Sequence, residues 1–224
     1  MADPPAVRVE YELHAGYTNE YLFRGLNLGQ DLVEVGADVK ASVHGVGLSA
    51  GAWYGSFNNA HFEGISGVDV NELDLYGQIS KDFGQLSGAI GYIYRYFESS
   101  GNSNKENQEI YFSVSRPILT IDTSLTYFWG IEGDNDGYSE FGLHRGFDLS
   151  GSLVLNCAAT LGYLVEQGQL TAVTSKLSLD WGFTKTATFS PFVKWSIALS
   201  DDPNTAYYQS KNQFVGGVIL SVAF

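Results

Sequence analysis

Ionisable side chains recur on alternate residues of this chain, flanked by apolar neighbours, and that spacing is where its chemistry would lie. Arg8, Glu10, Glu12 and His14 alternate with Val9, Tyr11, Leu13 and Ala15. Glu34, Asp38 and Lys40 alternate with Val33, Val35, Ala37, Val39 and Ala41. The same spacing singles out Glu72, Asp74, Arg95, Glu109, Asp122, Glu140, His144, Lys176, Asp180 and Lys194 further along. Side chains alternate across a strand, so each run carries one greasy face and one charged face. With the charged faces gathered inside a closed tube, this acid-rich set has two readings. One is a narrow water path with a mild cation preference, set by carboxylates along the wall. The other is a mesh of ion pairs that fills the lumen and stops flow, because unpaired charge in a confined space is costly. Both readings stay open. Arg24 either turns inward to a carboxylate such as Glu34 or caps a loop.

Other chemistries find less support. His14, His44, His61 and His144 include no pair at metal-ligand spacing, and one cysteine, Cys157, permits neither a disulfide framework nor a cysteine-rich metal site. Cys157 lies among apolar positions and reads as a small buried or lipid-facing residue. A lipid hydrolase of the outer membrane, the third function class, needs a serine nucleophile and a histidine base at the lipid face. No histidine falls on an apolar face and no Gly-x-Ser-x-Gly elbow occurs, so no catalytic residue, metal ligand or cofactor is assigned. The stretch Glu132-Gly-Asp-Asn-Asp-Gly137 holds part of a calcium loop but lacks the bidentate glutamate, and reads as an acidic surface turn.

The elements that must position the charges are strands. Aromatics make up 14% of the chain, charged residues only 17%, and glycines number 26. No apolar run is long enough for a spanning helix, and a mean hydropathy of −0.06 is what a membrane barrel gives when half of each strand faces water. The formal charge of −13 excludes nucleic acid as a partner. Period-two runs begin at Val7 and Val33 and recur at 48–57, 72–81, 86–97, 108–116, 121–129, 138–147, 150–164, 170–181, 188–199 and 213–224. About twelve antiparallel strands are therefore expected, each near the length that crosses hydrocarbon. Pro191 interrupts one run and calls for a bulge or a later strand start.

The connections largely alternate between long (18–31, 58–71, 98–107, 130–137, 200–212) and short (44–47, 82–85, 117–120, 148–149), with the fifth outer loop, 165–169, compact and the turn 182–187 middling, as in up-and-down barrels with periplasmic turns and extracellular loops. In the last run Phe214, Val218, Leu220, Val222 and Phe224 share an apolar face, and its free edge needs the first strand as partner. That pairing closes a barrel. A soluble two-sheet sandwich would alternate as well, but two features oppose it. A barrel of this size is too wide for aliphatic side chains alone to fill. Aromatics also gather in two bands: Tyr54, Tyr94, Tyr96, Trp129, Tyr163 and Tyr207 near the long loops, Phe83, Phe147, Trp181, Phe183 and Phe224 near the short turns. Residues 1–6 are expected to be disordered and 7–224 to form one transmembrane barrel domain. The opening Met1-Ala-Asp-Pro-Pro has no apolar core of a signal peptide, so the chain reads as a mature form whose signal has been removed.

The stretch Tyr17-Thr-Asn-Glu-Tyr-Leu-Phe-Arg-Gly25 resembles the amino-terminal signature of the Gcw_chp or TorF-type family of bacterial outer-membrane proteins, labelled porins by analogy. Members carry Tyr-x-Phe-Arg-Gly after the first strand, and Tyr21, Phe23, Arg24 and Gly25 match it. A Ser-Gln pair often follows in the family, where this chain has Asn27 and Leu28. The resemblance implies an integral barrel of a Gram-negative outer membrane, in contact with its lipid and lipopolysaccharide, and brings no substrate with it. The terminal Phe224 resembles the signal read by the barrel-assembly machinery. The expected functions are a small porin for ions or solutes or, alternatively, a plugged barrel anchoring an envelope protein partner.

Overall fold

β-branched and aromatic residues at alternate positions favour extended backbone, and the chain is almost wholly strand. The structure, a computed structural model, describes residues 8–62, 64–101, 104–132, 137–203, 205–209 and 212–224. The expected N-terminal segment 1–6 and the acidic turn at 133–136 lie outside the described residues. The strands are β1 (Val9–Phe23), β2 (Leu26–Val43), β3 (Val46–Asn58), β4 (His61–Phe62), β5 (Ile65–Ser66), β6 (Val70–Asp82) and β7 (Ser87–Ser99). They continue as β8 (Lys105–Ile118), β9 (Ile121–Gly130), β10 (Tyr138–Ser150), β11 (Leu153–Leu164), β12 (Gln169–Gly182), β13 (Ala187–Ala198) and β14 (Gln213–Ala223). A single helical turn, α1 (Ala206–Gln209), precedes the last strand. β4 and β5 pair with each other, and the other strands close into one antiparallel barrel in which β1 lies between β2 and β14.

Closure runs from Glu12↔Ala223 to Thr18↔Gly217. Beyond it, Phe224 N–H donates to the Tyr11 carbonyl at 2.9 Å and Tyr11 N–H donates back at 3.3 Å. No barrel strand is left as an unpaired edge, which removes the template for edge-to-edge aggregation. All twelve barrel strands point large apolar side chains outward, from Val9 on β1 to Leu220, 44% exposed, on β14. An apolar surface that wraps the molecule costs too much in water and marks a lipid-facing belt.

Most of both aromatic bands face outward as expected, Trp129 and Tyr163 toward the loop end, Phe147 and Trp181 toward the turn end. Tyr207 does not belong to the outer band. It is buried with Tyr138 and Leu164 in an apolar cluster at the loop end, because α1 folds over the barrel mouth. Pro191 needs no bulge. It sits within β13 opposite Val218, the β13–β14 register runs unbroken past it, and the gap in pairing falls on the β12 side.

The first long connection is where structure and expectation part. Residues 18–31 are not a loop. β1 and β2 continue as a ladder to Phe23↔Leu26, with a bulge at Tyr21/Leu22, and turn on Arg24 (φ 49°) and Gly25 (φ 86°). Two successive left-handed residues make the tight hairpin turn whose twist suits antiparallel strands. The barrel's short turn at His44 (φ 50°) and Gly45 (φ 76°) has the same backbone signs. The wall does not follow this hairpin to its tip. β14 leaves β1 at Thr18, and β3 leaves β2 at Gln30, so the last residues of the hairpin are free of the sheet on both sides. At the point of departure the Asn19 side-chain oxygen accepts a hydrogen bond from Gly216 N–H at 2.7 Å.

Candidate functional site

Freed from the wall, the hairpin bends into the lumen. Leu28 and Leu32 on its inner side pack with Phe57, Ala60, Ile65, Val70 and Phe97, a fully apolar cluster inside the loop end. Tyr21 stacks edge-on to Phe57 with centroids 5.0 Å apart and lies 5.9 Å from Trp53. At the tip, a Cβ on Gly25 would stand 2.5 Å from the Ala172 Cβ of β12, on a different part of the wall. Only a residue without a side chain lets the turn approach this closely. Gly25→Ala combines that clash with a positive φ, which alone costs about 1–2 kcal/mol in an L-residue. Its expected outcome is a hairpin tip that becomes protease-sensitive while the barrel stays folded, read by limited proteolysis in detergent.

Arg24 supplies the charge at the tip. Its guanidinium donates two hydrogen bonds to Glu109 on β8, at 2.7 and 2.8 Å, and lies over the rings of Phe128 (4.3 Å), Tyr138 (4.6 Å) and Phe23 (4.9 Å). A planar fork on a carboxylate, enclosed by aromatic faces, is the arrangement that suits arginine and not lysine. Glu109 also accepts from Arg95 Nη1 at 2.6 Å, so one carboxylate bridges two guanidiniums. Arg95 Nε lies 3.4 Å from Asp74 Oδ2 without making a hydrogen bond to it, and Arg95 also sits under Phe23 at 5.1 Å. Glu72, 1% exposed, lies beside Asp74 and Tyr21, and one of its oxygens has no hydrogen-bond partner.

Of the charged residues expected along the lumen, the structure thus gathers Glu72, Asp74, Arg95 and Glu109 into one buried knot around the hairpin tip. Arg24 meets Glu109. Glu34, the partner suggested by sequence, instead accepts the Trp53 indole N–H at 2.8 Å. Asp38 accepts the Tyr76 hydroxyl at 2.8 Å and lies 3.8 Å from His14 Nδ1. Glu140 pairs with the Tyr138 hydroxyl at 3.3 Å, and Asp180 accepts from Asn156 at 2.8 Å. His144 lies between Asp122 (3.5 Å) and Asn156 (3.2 Å). Arg8 and Glu10 pair with each other at 3.1 Å on the exposed turn-end rim, where Lys40 is also exposed. Lys176 and Lys194 lie over the ring of Phe192, at 4.7 and 5.4 Å.

Toward the turn end the lumen holds a polar cavity of about 490 Å³, bordered by Glu12, His14, His144, Asn156, Lys176 and Asp180 among others. Among the described residues no group of three or more His, Cys, Asp or Glu is placed to hold a metal ion. Charge spacing alone missed the inner-face aromatics Trp53, Tyr76, Tyr111 and Phe192. They carried a signal nonetheless, since inner glycines face several of them: Gly51 opposite Tyr76, Gly91 opposite Tyr111, Gly217 opposite Phe192.

With this geometry in hand, the sequence matches, over residues 3–218, the family described as bacterial proteins of unknown function, Gcw_chp. The chain belongs to the Gcw_chp family. No curated protein matches it. Solved structures of similar shape are outer-membrane barrels. The KdgM porin is 10% identical at a TM-score of 0.54, with 96% of this chain and 99% of that one covered. An outer-membrane channel from Pseudomonas putida F1 is 9% identical at 0.55, covering 100% and 99%. The CymD monoaromatic hydrocarbon channel is 7% identical at 0.56, covering 96% and 88%. At such identities the likeness is one of fold, and it places this Gcw_chp chain among closed antiparallel barrels of the Gram-negative outer-membrane type.

Proposed function

We propose that this Gcw_chp protein is an outer-membrane channel for small ions or solutes whose loop end is narrowed by its own first hairpin. The observation that carries the reading is the hairpin tip seated across the lumen, above a polar cavity that continues toward the turn end. Barrels sharing this fold include a porin and two channels, which supports passage as the task. The outward apolar belt supports residence in the bacterial outer membrane, among its lipid and lipopolysaccharide, with insertion by the barrel-assembly machinery. The excess of acids, with a formal charge of −13, supports a mild cation preference.

A second reading is favoured by the buried Arg24–Glu109–Arg95 contact: a barrel plugged for good, serving as subunit or anchor of an envelope complex. Ion current in planar bilayers separates the two. The channel reading expects small discrete current steps from folded protein. No current from the wild type or from a variant with the tip contact removed leaves only the plugged barrel.

A further inference from the structure

We propose that the middle of the lumen, below the hairpin tip, contains a binding station for the oxyanion group of a small solute, a carboxylate or phosphate, built on Lys176 and Lys194. The proposal deepens the channel reading, because it names a chemical group that the passage would hold.

The two lysines are direct partners in the β12–β13 register and both face the lumen. Like charges directly opposite one another in a sheet destabilise it. Here both ammonium groups also share one aromatic ring, Phe192, itself only 7% exposed. A ring face attracts a cation but leaves its charge uncancelled. Among the described residues no carboxylate lies within ion-pair distance of either lysine: the close carboxylate contacts in the lumen are made to the guanidiniums of Arg24 and Arg95 and to the imidazoles of His14 and His144. Glu34 acts on Lys194 only from longer range and already accepts the Trp53 indole. Two neighbouring positive charges inside a confined tube are therefore left for an external anion to offset.

The surroundings suit such a ligand. Lys176 and Phe192 border the polar cavity of about 490 Å³ together with Ser178 and Ser190, whose hydroxyls add hydrogen-bond donors to its wall, while Lys194 stands behind them on the other side of the Phe192 ring. Ser178 lies opposite Phe192 in the register, next to the lysine pair. The same cavity is bordered by Glu12 and by Asp180, the latter held by Asn156. These acids repel a polyanion, so the group that fits is small and carries one or two charges. An anion held at this pair stands in the narrow passage beside the cavity and should lower the current while it is bound.

Inorganic phosphate is the probe, titrated into full-length folded protein in detergent and followed by calorimetry and by phosphorus NMR line width. The expected result is saturable binding at one site. Changing both lysines (Lys176→Gln with Lys194→Gln) should weaken it about tenfold or more, as loss of charge-assisted contacts implies. Lys185→Gln, in an exposed turn, should leave it unchanged, and the Lys176→Arg, Lys194→Arg pair should retain it and guards against simple misfolding. Absence of saturable binding to the folded wild type, or equal binding by the double glutamine variant, overturns the proposal. In planar bilayers phosphate should reduce the wild-type current and spare that of the glutamine variant. Intact binding with silent bilayers supports the station and counts against the channel reading alone.

Discussion

Glu109→Ala should cost the loop end of the barrel about 3–5 kcal/mol, the range found when one partner of a buried ion pair is removed and the other is left behind. The size follows from the position of Glu109 between Arg24 and Arg95, both enclosed and both using its oxygens. Without it two guanidiniums face each other across the hairpin tip, and the tip has only aromatic faces to hold it. Arg24→Ala should cost less, because Glu109 then keeps Arg95. Glu109→Gln should fall between, retaining an acceptor but no charge. Urea unfolding in micelles, followed by tryptophan fluorescence, gives the ranking, since Trp53 packs against Tyr21 of the same hairpin. Equal midpoints for wild type and Glu109→Ala would contradict the bridging role.

The second large effect lies on the outer wall. Leu220→Arg should destabilise the barrel by about 2–4 kcal/mol if Leu220 sits near the bilayer midplane, where a charge on the lipid face is most expensive. Leu220 points outward from β14 and pairs with Ala15 of β1, so the penalty also falls on the seam that closes the barrel. Ser221→Arg, one residue on, faces the polar cavity and should be tolerated much better. Unfolding of both variants in lipid vesicles measures the difference. Similar losses at the two positions would mean that the two faces do not see different surroundings.

The strand pattern was legible because the apolar side of nearly every crossing faces one medium, so a period of two survives from Val9 to the last strand. The pairing of the last strand with the first followed from the same pattern. The alternation of connection lengths held only in part, since β1 and β2 meet in a two-residue turn where a long loop was expected. The inward hairpin was not legible, for three reasons. Thr18-Asn-Glu resembles an exposed loop in composition, and the bulge at Tyr21/Leu22 breaks the alternation where the hairpin begins to depart. Contacts such as Arg24 to Glu109 join residues far apart in the chain, and no local spacing encodes them. One trace was present: Leu28 and Leu32 fall on the face otherwise given to Glu34 and Asp38. Leucines on a water-lined face are costly, and they signal that this part of the lumen is packed against protein.

The lumen charges were assigned to one side of the wall by alternation, but their roles depend on depth. Glu72 and Arg95 lie in a protein-filled end, while Arg8 and Lys40 lie at an exposed rim, and periodicity does not distinguish the two. The lysine pair is a matter of register. Lys176 and Lys194 are unremarkable in sequence and become neighbours only when β12 and β13 are aligned.

The most direct test of the account is the single-channel conductance of the wild type against the Arg24→Ala, Glu109→Ala double variant, which removes the tip contact while deleting one charge of each sign. If the hairpin tip is what narrows the tube, the double variant should conduct clearly more than the wild type at the same voltage and salt. Indistinguishable conductances from two equally folded proteins would mean that the tip does not control the passage.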